Sequence, residues 1–254
     1  MLRLTFCGMG GLDVDAERRL WKMGVYCWDD FRRFRRSPFS ASRASLILKD
    51  LDEAERRLNS GEDAVRWFYA KTPPSQYSRL LVNFRETAVY FDVETTGLES
   101  DAQITTATFF DGVSFQTFTR GANLGDAASY FSAISLLATY NGTTFDLPLA
   151  RREWDATWRG VHIDLRKTLR DMGIRGGLKR AASALGVERR EAPEISSGAE
   201  AAELWRRWRD FGDAASLEKL RRYNRDDVRT LAEIARILCD ESMSENIFYR
   251  SFSR

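Results

Sequence analysis

The sequence predicts an α/β fold in which helices cover a mixed β-sheet, preceded by a small all-helical region. Residues 1 to about 86 contain short amphipathic segments that end at helix breakers. From Thr87 the chain changes to segments rich in β-branched and aromatic residues, which favour strands. Strands that first form a meander and then alternate with helices are typical of a mixed sheet covered by helices.

Composition limits the kind of site that this protein can contain. The chain has 254 residues, of which 43% are hydrophobic and 30% charged, as expected for a globular protein. The only histidine is His162, and the three cysteines, Cys7, Cys27 and Cys239, lie far apart. This excludes sites that need two histidines, and it favours reduced thiols over a disulfide framework or a zinc site. Any metal must therefore be held by carboxylates.

Neither a membrane helix nor a secretory leader is expected. No segment approaches the unbroken apolar run that a membrane helix needs, and the opening MLRLTFCGMGGLD lacks a charged and then apolar leader. We therefore expect a cytoplasmic protein.

The first 87 residues are more basic than the rest. They carry 16 of the 39 Lys and Arg residues and 12 of the 37 Asp and Glu residues, which leaves 23 basic and 25 acidic residues in the remainder. A basic appendage beside an acid-rich body suits a protein that contacts phosphates at one place and metals at another. Charged helix faces exposed to solvent would give the same distribution.

We expect an amino-terminal helical domain over residues 1–86. Asp15–Gly24 and the following CWDDFRRF predict two helices joined by a tight turn, a longer helix is expected at Ser42–Asn59, and the aromatic stretch Asp63–Ala70 is expected to belong to the core. The helix–turn–helix pattern resembles the helix-hairpin-helix segments that clamp a nucleic-acid backbone. A small helical packing domain is an equal alternative. Pro73-Pro74 should end the helices and begin a connection over about 72–87.

Strands and helices should then alternate through a second domain over residues 87–254. The segments TAVYFDV, ITTATFF and VSFQTFTR predict three strands, and Asp111-Gly112 predicts a hairpin between the last two. After them we expect a helix at Asp126–Leu137, a strand at Ala138–Tyr140, a helix at Phe145–Trp154 and a strand at Val161–Leu165.

The segment FDVETTGL places two carboxylates together. Asp92 and Glu94 are two apart on a strand and so project to the same side. Two neighbouring acids in an apolar strand are costly unless a cation neutralises them. This pair therefore predicts a metal site, with Thr95, Thr96 and Gly97 turning the chain away beside it.

Two later segments add acids and a tyrosine. In YNGTTFDLPL, Asp146 lies near the start of a helix, where an acid is favoured in any case. In YNRDDV, Tyr223 and Asp227 are four apart and share a helix face, whereas Asp226 is rotated about 100° away. Asp227 is therefore the acid expected to accompany Tyr223.

Taken in order, the elements FDxExT, NGxxFD and YxxxD resemble the DEDD superfamily of ribonuclease H-like 3′→5′ exonucleases, and the tyrosine resembles its DEDDy branch. The run HIDLRKTLRDMGIRGGLKRAASALGVERR, with SGAEAAELWRRW and YNRDDV, is more closely similar to the YprB-type predicted ribonuclease H-like family. The resemblance covers about residues 87–240. It implies a ribonuclease H-like mixed sheet flanked by helices.

The resemblance also implies roles for particular residues. Asp92, Glu94, Asp146 and Asp227 would hold two divalent cations, Mg²⁺ or Mn²⁺, and Tyr223 would orient or deprotonate the attacking water. Arg222 stands where a sister branch has histidine. Hard oxygen ligands suit these ions, and two such cations can activate a water and stabilise a leaving 3′-oxygen.

Other residues are weaker candidates for the site. Thr95, Gly97 and Leu98 could line a pocket for the terminal nucleotide, and Asn141 and Phe145 could contact sugar or base. For Asp164 we expect a structural role rather than a role as a metal ligand, at odds of about three to one. His162 is expected to be structural or to support a ligand, and Trp205 and Trp208 to serve packing.

These features predict a metal-dependent 3′→5′ exonuclease acting on single-stranded DNA or RNA by a two-metal-ion mechanism. A structure-specific endonuclease of the same fold is an alternative, since similar acid clusters serve that chemistry. A non-catalytic nucleic-acid-binding module is a second alternative, which the presence of all four acids and the tyrosine disfavours.

Overall fold

The computed structural model describes residues 2–251 except 62, 98, 100, 155–156, 190–194 and 196, and it omits the side chains of 239 and 241–251. The chain forms two compact units. One contains residues 1–84 together with the last helix from Ile237 onward, and the other contains Arg85–Arg236. Among the described residues no helix is both long and apolar enough to cross a membrane.

The first unit is helical, as the sequence predicts. Its α-helices are α1 (Val14–Lys22), α2 (Trp28–Arg33), α3 (Ala41–Ser60), α4 (Ala64–Lys71) and α5 (Ser78–Asn83). The predicted connection over 72–87 was therefore wrong in part, because it contains α5. Pro73-Pro74 ends the preceding helix as expected, but the following residues Leu80 and Leu81 are buried, so a further helix forms to pack them.

A buried ion pair holds the first unit together. Nη1 of Arg79 on α5 lies 2.7 Å from Oε2 of Glu17 on α1, and both side chains are almost fully buried. The other oxygen of Glu17 accepts hydrogen bonds from the backbone N–H groups of Phe6 and Cys7. Burial, followed by the nearby Glu17 charge, raises the pKa of the Cys7 thiol to about 12. Cys7 and Cys27 are both free thiols, as predicted, whereas the side chain of Cys239 lies outside the described part of the chain.

The second unit is built on a five-stranded mixed sheet. Its strands are β1 (Ala88–Thr95), β2 (Ile104–Phe110), β3 (Phe115–Thr119), β4 (Leu136–Thr139) and β5 (Val161–Asp164), in the order β3-β2-β1-β4-β5. The first three are antiparallel, and β4 and β5 run parallel to β1. The predicted hairpin joins β2 and β3, where the Asp111 carboxylate accepts from the N–H groups of Val113 and Ser114.

Helices surround this sheet. They are α6 (Ala127–Ala133), α7 (Asp146–Trp154), α8 (Leu165–Asp171), α9 (Leu178–Ala184), α10 (Gly198–Phe211) and α11 (Ala214–Ser251). Phe91 and Val93 of β1 belong to a core that includes residues of α6 and α7, and the ring of Phe91 stacks 4.5 Å from that of Phe109 on β2. With Phe91 and Val93 in this core, Asp92 and Glu94 project from the opposite face of β1.

The region between α6 and β4 differs from the prediction. The helix expected at Asp126–Leu137 ends at Ala133, and the strand expected at Ala138–Tyr140 covers Leu136–Thr139. The apolar run Leu136–Ala138 fits either a helix or a buried strand from its sequence alone. Parallel pairing with β1 on one side and β5 on the other makes it an interior strand of the sheet.

Candidate metal centre

Three carboxylates meet beside the middle of the sheet. Asp92 and Glu94 come from β1 and Asp227 comes from α11, and one oxygen of each lies within 4.8 Å of those of the other two. Glu94 and Asp227 are both 8% exposed, and Asp92 is partly buried. Strand and helix thus bring together acids that are more than 130 residues apart in the chain.

Helix α11 is fixed on this face of the sheet by polar contacts. Nδ2 of Asn224 donates to Oδ2 of Asp92 at 2.8 Å. The guanidinium groups of Arg221 and Arg225 donate to the hydroxyls of Thr119 and Thr117 on β3. Asn224, which our sequence analysis missed, is one turn before Asp227 and fully buried, so it orients the carboxylate of Asp92. In the sequence, only its place directly after Tyr223 in the motif YNRDDV could have indicated a role at the site.

Asp146 lies next to these three acids but outside the group that meets within 4.8 Å. It is the first residue of α7, and its Oδ1 accepts from the backbone N–H of Val93, between Asp92 and Glu94, at 3.1 Å. The turn that leads into α7 needs Gly142, because a Cβ there would lie 2.2 Å from Oγ1 of Thr139.

Burial raises the pKa of every acid in the centre. Burial is the main cause for Asp92 and Glu94, and the charges of the other acids add to it. Burial also raises the pKa of Asp227, and it raises that of Asp146 to about 7. Such groups are costly to ionise without a positive partner. All donors are hard oxygens, the kind that Mg²⁺ and Mn²⁺ prefer, so the residues fit divalent cations of this type.

Two basic side chains adjoin the acids, and no role was predicted for either of them. Arg189, after α9, places Nε 3.2 Å from Oδ2 of Asp226, and its Nη1 donates to Oδ1 of Asp227. Lys179 on α9 donates instead to the backbone oxygen of Ile195 at 2.7 Å. Both residues occur in the run LKRAASALGVER, but nothing in its spacing indicates that they reach the acids.

Tyr223 packs at the edge of the acid cluster. Its ring is 5% exposed and belongs to a small core with Trp205 of α10, which has the packing role that we predicted. The ammonium of Lys179 lies 5.0 Å from the ring centroid and the guanidinium of Arg189 lies 5.3 Å from it. Burial, and then the nearby carboxylates, raises the pKa of the phenol, so its O–H stays protonated.

Of the residues predicted to contact substrate, Thr95 is the last residue of β1, Gly97 follows it, and Asn141 and Phe145 lie between β4 and α7. The Thr95 hydroxyl donates to the backbone oxygen of Gly97 at 2.6 Å. Oδ1 of Asn141 accepts from the Thr144 hydroxyl. The partly buried Phe145 packs against the core that contains Phe91 and Val93. Leu98 lies outside the described residues. The side chains of Thr95 and Asn141 thus form local hydrogen bonds that stabilise the backbone after β1 and after β4.

Asp164 and His162 have contacts that suit structural roles. The Asp164 carboxylate accepts from the N–H groups of Asn141, Thr143 and Arg166. Nε2 of His162 lies 2.8 Å from the Thr139 hydroxyl. Burial lowers the pKa of His162 to about 4, so the ring is neutral near pH 7.

The mixed five-stranded sheet with acids on its central strand and on the last helix defines a ribonuclease H-like protein. A family model described as the RNase_H superfamily matches residues 89–239, and the chain belongs to this superfamily. No curated protein matches the chain. Among solved structures, the Aedes aegypti Nibbler EXO domain is 9% identical, with 73% of this chain and 92% of that chain covered and a TM-score of 0.39.

Superfamily membership and the acid cluster together support a nuclease. The carboxylates supply a possible site for divalent metals, and the substrate class supported by the family is nucleic acid.

Proposed function

We propose that this chain is a 3′→5′ exonuclease of the DEDDy branch, similar to the YprB-type family, and that it hydrolyses single-stranded DNA or RNA. The observation that carries the proposal is the meeting of Asp92, Glu94 and Asp227 within 4.8 Å, with Asp146 hydrogen-bonded to the backbone between the first two. These are the four acids of the DEDD pattern, and Tyr223 lies beside them.

The four acids would hold two divalent cations, Mg²⁺ or Mn²⁺, in this proposal. When bound, the cations supply Lewis acidity and lower the pKa of water. The chain supplies the geometry: β1 presents two carboxylates, the start of α7 a third, and α11 the fourth. Because burial and repulsion raise the pKa values of these groups, cation binding relieves an unfavourable charge arrangement.

Tyr223 would position the attacking water through its hydroxyl. Its raised pKa leaves it a hydrogen-bond donor, so orientation is favoured over deprotonation of the water by a phenolate. The Trp205 ring and the small core around it limit the rotation of Tyr223. Asn224 would keep the Asp92 carboxylate in one orientation, as residues that hydrogen-bond to metal ligands commonly do.

The proposed substrate contacts are Thr95 at the end of β1, Gly97 after it, and Asn141 and Phe145 between β4 and α7; Leu98 is proposed with them from the sequence alone. Phe145 precedes Asp146 in the sequence and is only partly buried, so we propose that its exposed part contacts a terminal base or sugar. For Thr95 and Asn141 we propose an indirect contribution, since their side chains hold the loops that would surround the terminal nucleotide.

The experiment uses end-labelled oligonucleotides with the full chain, in Mn²⁺ or in EDTA. Single-stranded and double-stranded DNA and RNA are compared, each with a free and with a chemically blocked 3′ end. Release of mononucleotides from the free 3′ end alone, dependent on Mn²⁺, is expected. Asp227→Asn should abolish it. The matched control is Asp171→Asn, since Asp171 is exposed at the end of α8.

Three other outcomes would contradict the proposed exonuclease function. Cleavage of blocked substrates at internal positions, particularly near loops or branches, would indicate the endonuclease. Binding without any cleavage would indicate the non-catalytic module. Equal cleavage by wild type and Asp227→Asn would show that the activity comes from a contaminant.

A further inference from the structure

Arg189 lies at the edge of the acid cluster and contacts two adjacent acids. Nε approaches Oδ2 of Asp226 at 3.2 Å, and Nη1 donates to Oδ1 of Asp227. Its side chain is only 13% exposed, and its guanidinium also lies over the ring of Tyr223. A guanidinium held in this way neutralises part of the negative charge of the cluster.

One nitrogen of this guanidinium lacks an acceptor in the part of the chain that the structure describes. Nη2 of Arg189 is buried and has no hydrogen-bond acceptor among the residues that the structure describes. A buried N–H group without an acceptor is costly, particularly on a charged group. A further partner that carries oxygen atoms would satisfy this N–H group.

The two carboxylates that hold Arg189 differ in their surroundings. Asp227 belongs to the group of acids able to share a cation, whereas Asp226 does not. Asp226 is 1% exposed and faces Arg189 from the neighbouring position of α11. A cation on Asp227 would compete with Arg189 for the same carboxylate, but Asp226 would stay available to the arginine.

We propose that Arg189 is an exchangeable counter-ion that passes from Asp227 to the phosphate of the substrate. Without metal, its guanidinium neutralises Asp227. With cations on the acid cluster, it keeps its contact with Asp226 and donates from its Nη groups to a phosphate of the nucleic acid. Guanidinium groups bind phosphate through paired, charge-assisted hydrogen bonds, which suits this second partner. This inference rests on the proposed nuclease function.

The first test is the affinity for Mn²⁺ alone, measured by calorimetric titration of the full chain without nucleic acid. Arg189→Gln removes the competitor of the cation, so Mn²⁺ should bind about tenfold more tightly, the equivalent of one charge-assisted hydrogen bond. Lys179→Gln is the matched control. It removes the same charge close to the cluster, but Lys179 donates to the backbone oxygen of Ile195 and, among the described residues, to no carboxylate, so its effect should be clearly smaller.

The second test is the binding of a short single-stranded oligonucleotide, followed by fluorescence anisotropy with Ca²⁺. Arg189→Gln should weaken this binding about tenfold, by loss of one charge-assisted contact, and should lower kcat/KM with Mn²⁺ about 10²-fold. Arg189→Lys keeps the positive charge but lacks the paired N–H groups of a guanidinium, so it should bind the oligonucleotide more tightly than Arg189→Gln and less tightly than wild type. Circular dichroism of each variant verifies the fold.

Several results would overturn the inference. Unchanged or weaker Mn²⁺ binding by Arg189→Gln would contradict the exchange, as would a gain equal to that of Lys179→Gln. Unchanged oligonucleotide binding would contradict the phosphate contact. The Mn²⁺ titration needs no turnover. If the wild-type protein has no nuclease activity but Arg189→Gln still binds Mn²⁺ more tightly, the proposed function is refuted, whereas competition between Arg189 and the cation for Asp227 is supported.

Discussion

Asp146→Asn should stabilise the metal-free protein, and increasingly so as the pH rises. The pKa of Asp146 is raised from 3.8 to about 7 by burial. Below both values the acid is protonated in the folded and the unfolded chain, and no penalty exists. Between them the unfolded chain loses its proton while the folded chain keeps it, so the free energy of unfolding falls as the pH rises through this window.

The size of the effect follows from the pKa difference. Each pH unit between the two values corresponds to about 1.4 kcal/mol, so the full penalty above pH 7 is about 4 kcal/mol. Asparagine is uncharged and can still accept the hydrogen bond from the Val93 N–H. The stability advantage of Asp146→Asn should therefore grow by about 3 kcal/mol between pH 5 and pH 8.

The assay is urea unfolding in EDTA at a series of pH values, with wild type, Asp146→Asn and the surface control Asp171→Asn. His162 acts in the opposite direction, because its lowered pKa costs stability as the pH falls from about 6.5. Its contribution is the same in all three proteins and cancels in the differences. Adding Mn²⁺ should stabilise wild type by linkage, and Asp146→Asn less.

A constant difference between Asp146→Asn and wild type across this pH range would refute the reasoning. So would a variant that is less stable than wild type at pH 8 in EDTA. In either case the Asp146 carboxylate would be compensated in the folded chain by a positive group, and the acid cluster would not need a cation.

Three further changes test other parts of the molecule. Tyr223→Phe should lower the cleavage rate about 10²–10⁴-fold while Mn²⁺ affinity in calorimetry stays near wild type, because the hydroxyl positions water and holds no metal; full activity would remove Tyr223 from the mechanism. Asn224→Ala should weaken Mn²⁺ binding about 10–100-fold through the freed Asp92 carboxylate, and unchanged affinity would contradict that orienting role. Arg79→Ala should destabilise the chain by about 3–5 kcal/mol in urea unfolding, because it leaves the buried Glu17 charge without its partner; a loss below about 1 kcal/mol would mean that Glu17 is compensated in another way.

Local sequence patterns were enough to predict most elements of the fold. The β-branched and aromatic segments after Thr87 became β1, β2 and β3, and Asp111-Gly112 marked the hairpin. Each of these patterns extends over only a few consecutive residues, so the sequence alone is enough to recognise it. The run around Leu136 was misread because its choice between helix and strand depends on two neighbouring strands that are far away in sequence.

The sequence by itself determined the chemistry that the site can offer. With a single histidine and scattered cysteines, only carboxylates remained as metal ligands, and the two-residue spacing of Asp92 and Glu94 on a strand placed them on one face. Helical spacing likewise favoured Asp227 over Asp226 as the acid that accompanies Tyr223, and the structure brings an oxygen of Asp227 to within 4.8 Å of those of Asp92 and Glu94.

Only the tertiary structure decided which other groups surround these acids. Asn224 reaches Asp92 across 132 positions of sequence, and Arg189 reaches Asp227 across 38. Spacing along one strand or one helix is set by local backbone geometry, whereas contacts between elements depend on how their buried faces pack. The balance of charge at the centre, and with it the pKa of each acid, is therefore a property of the folded chain.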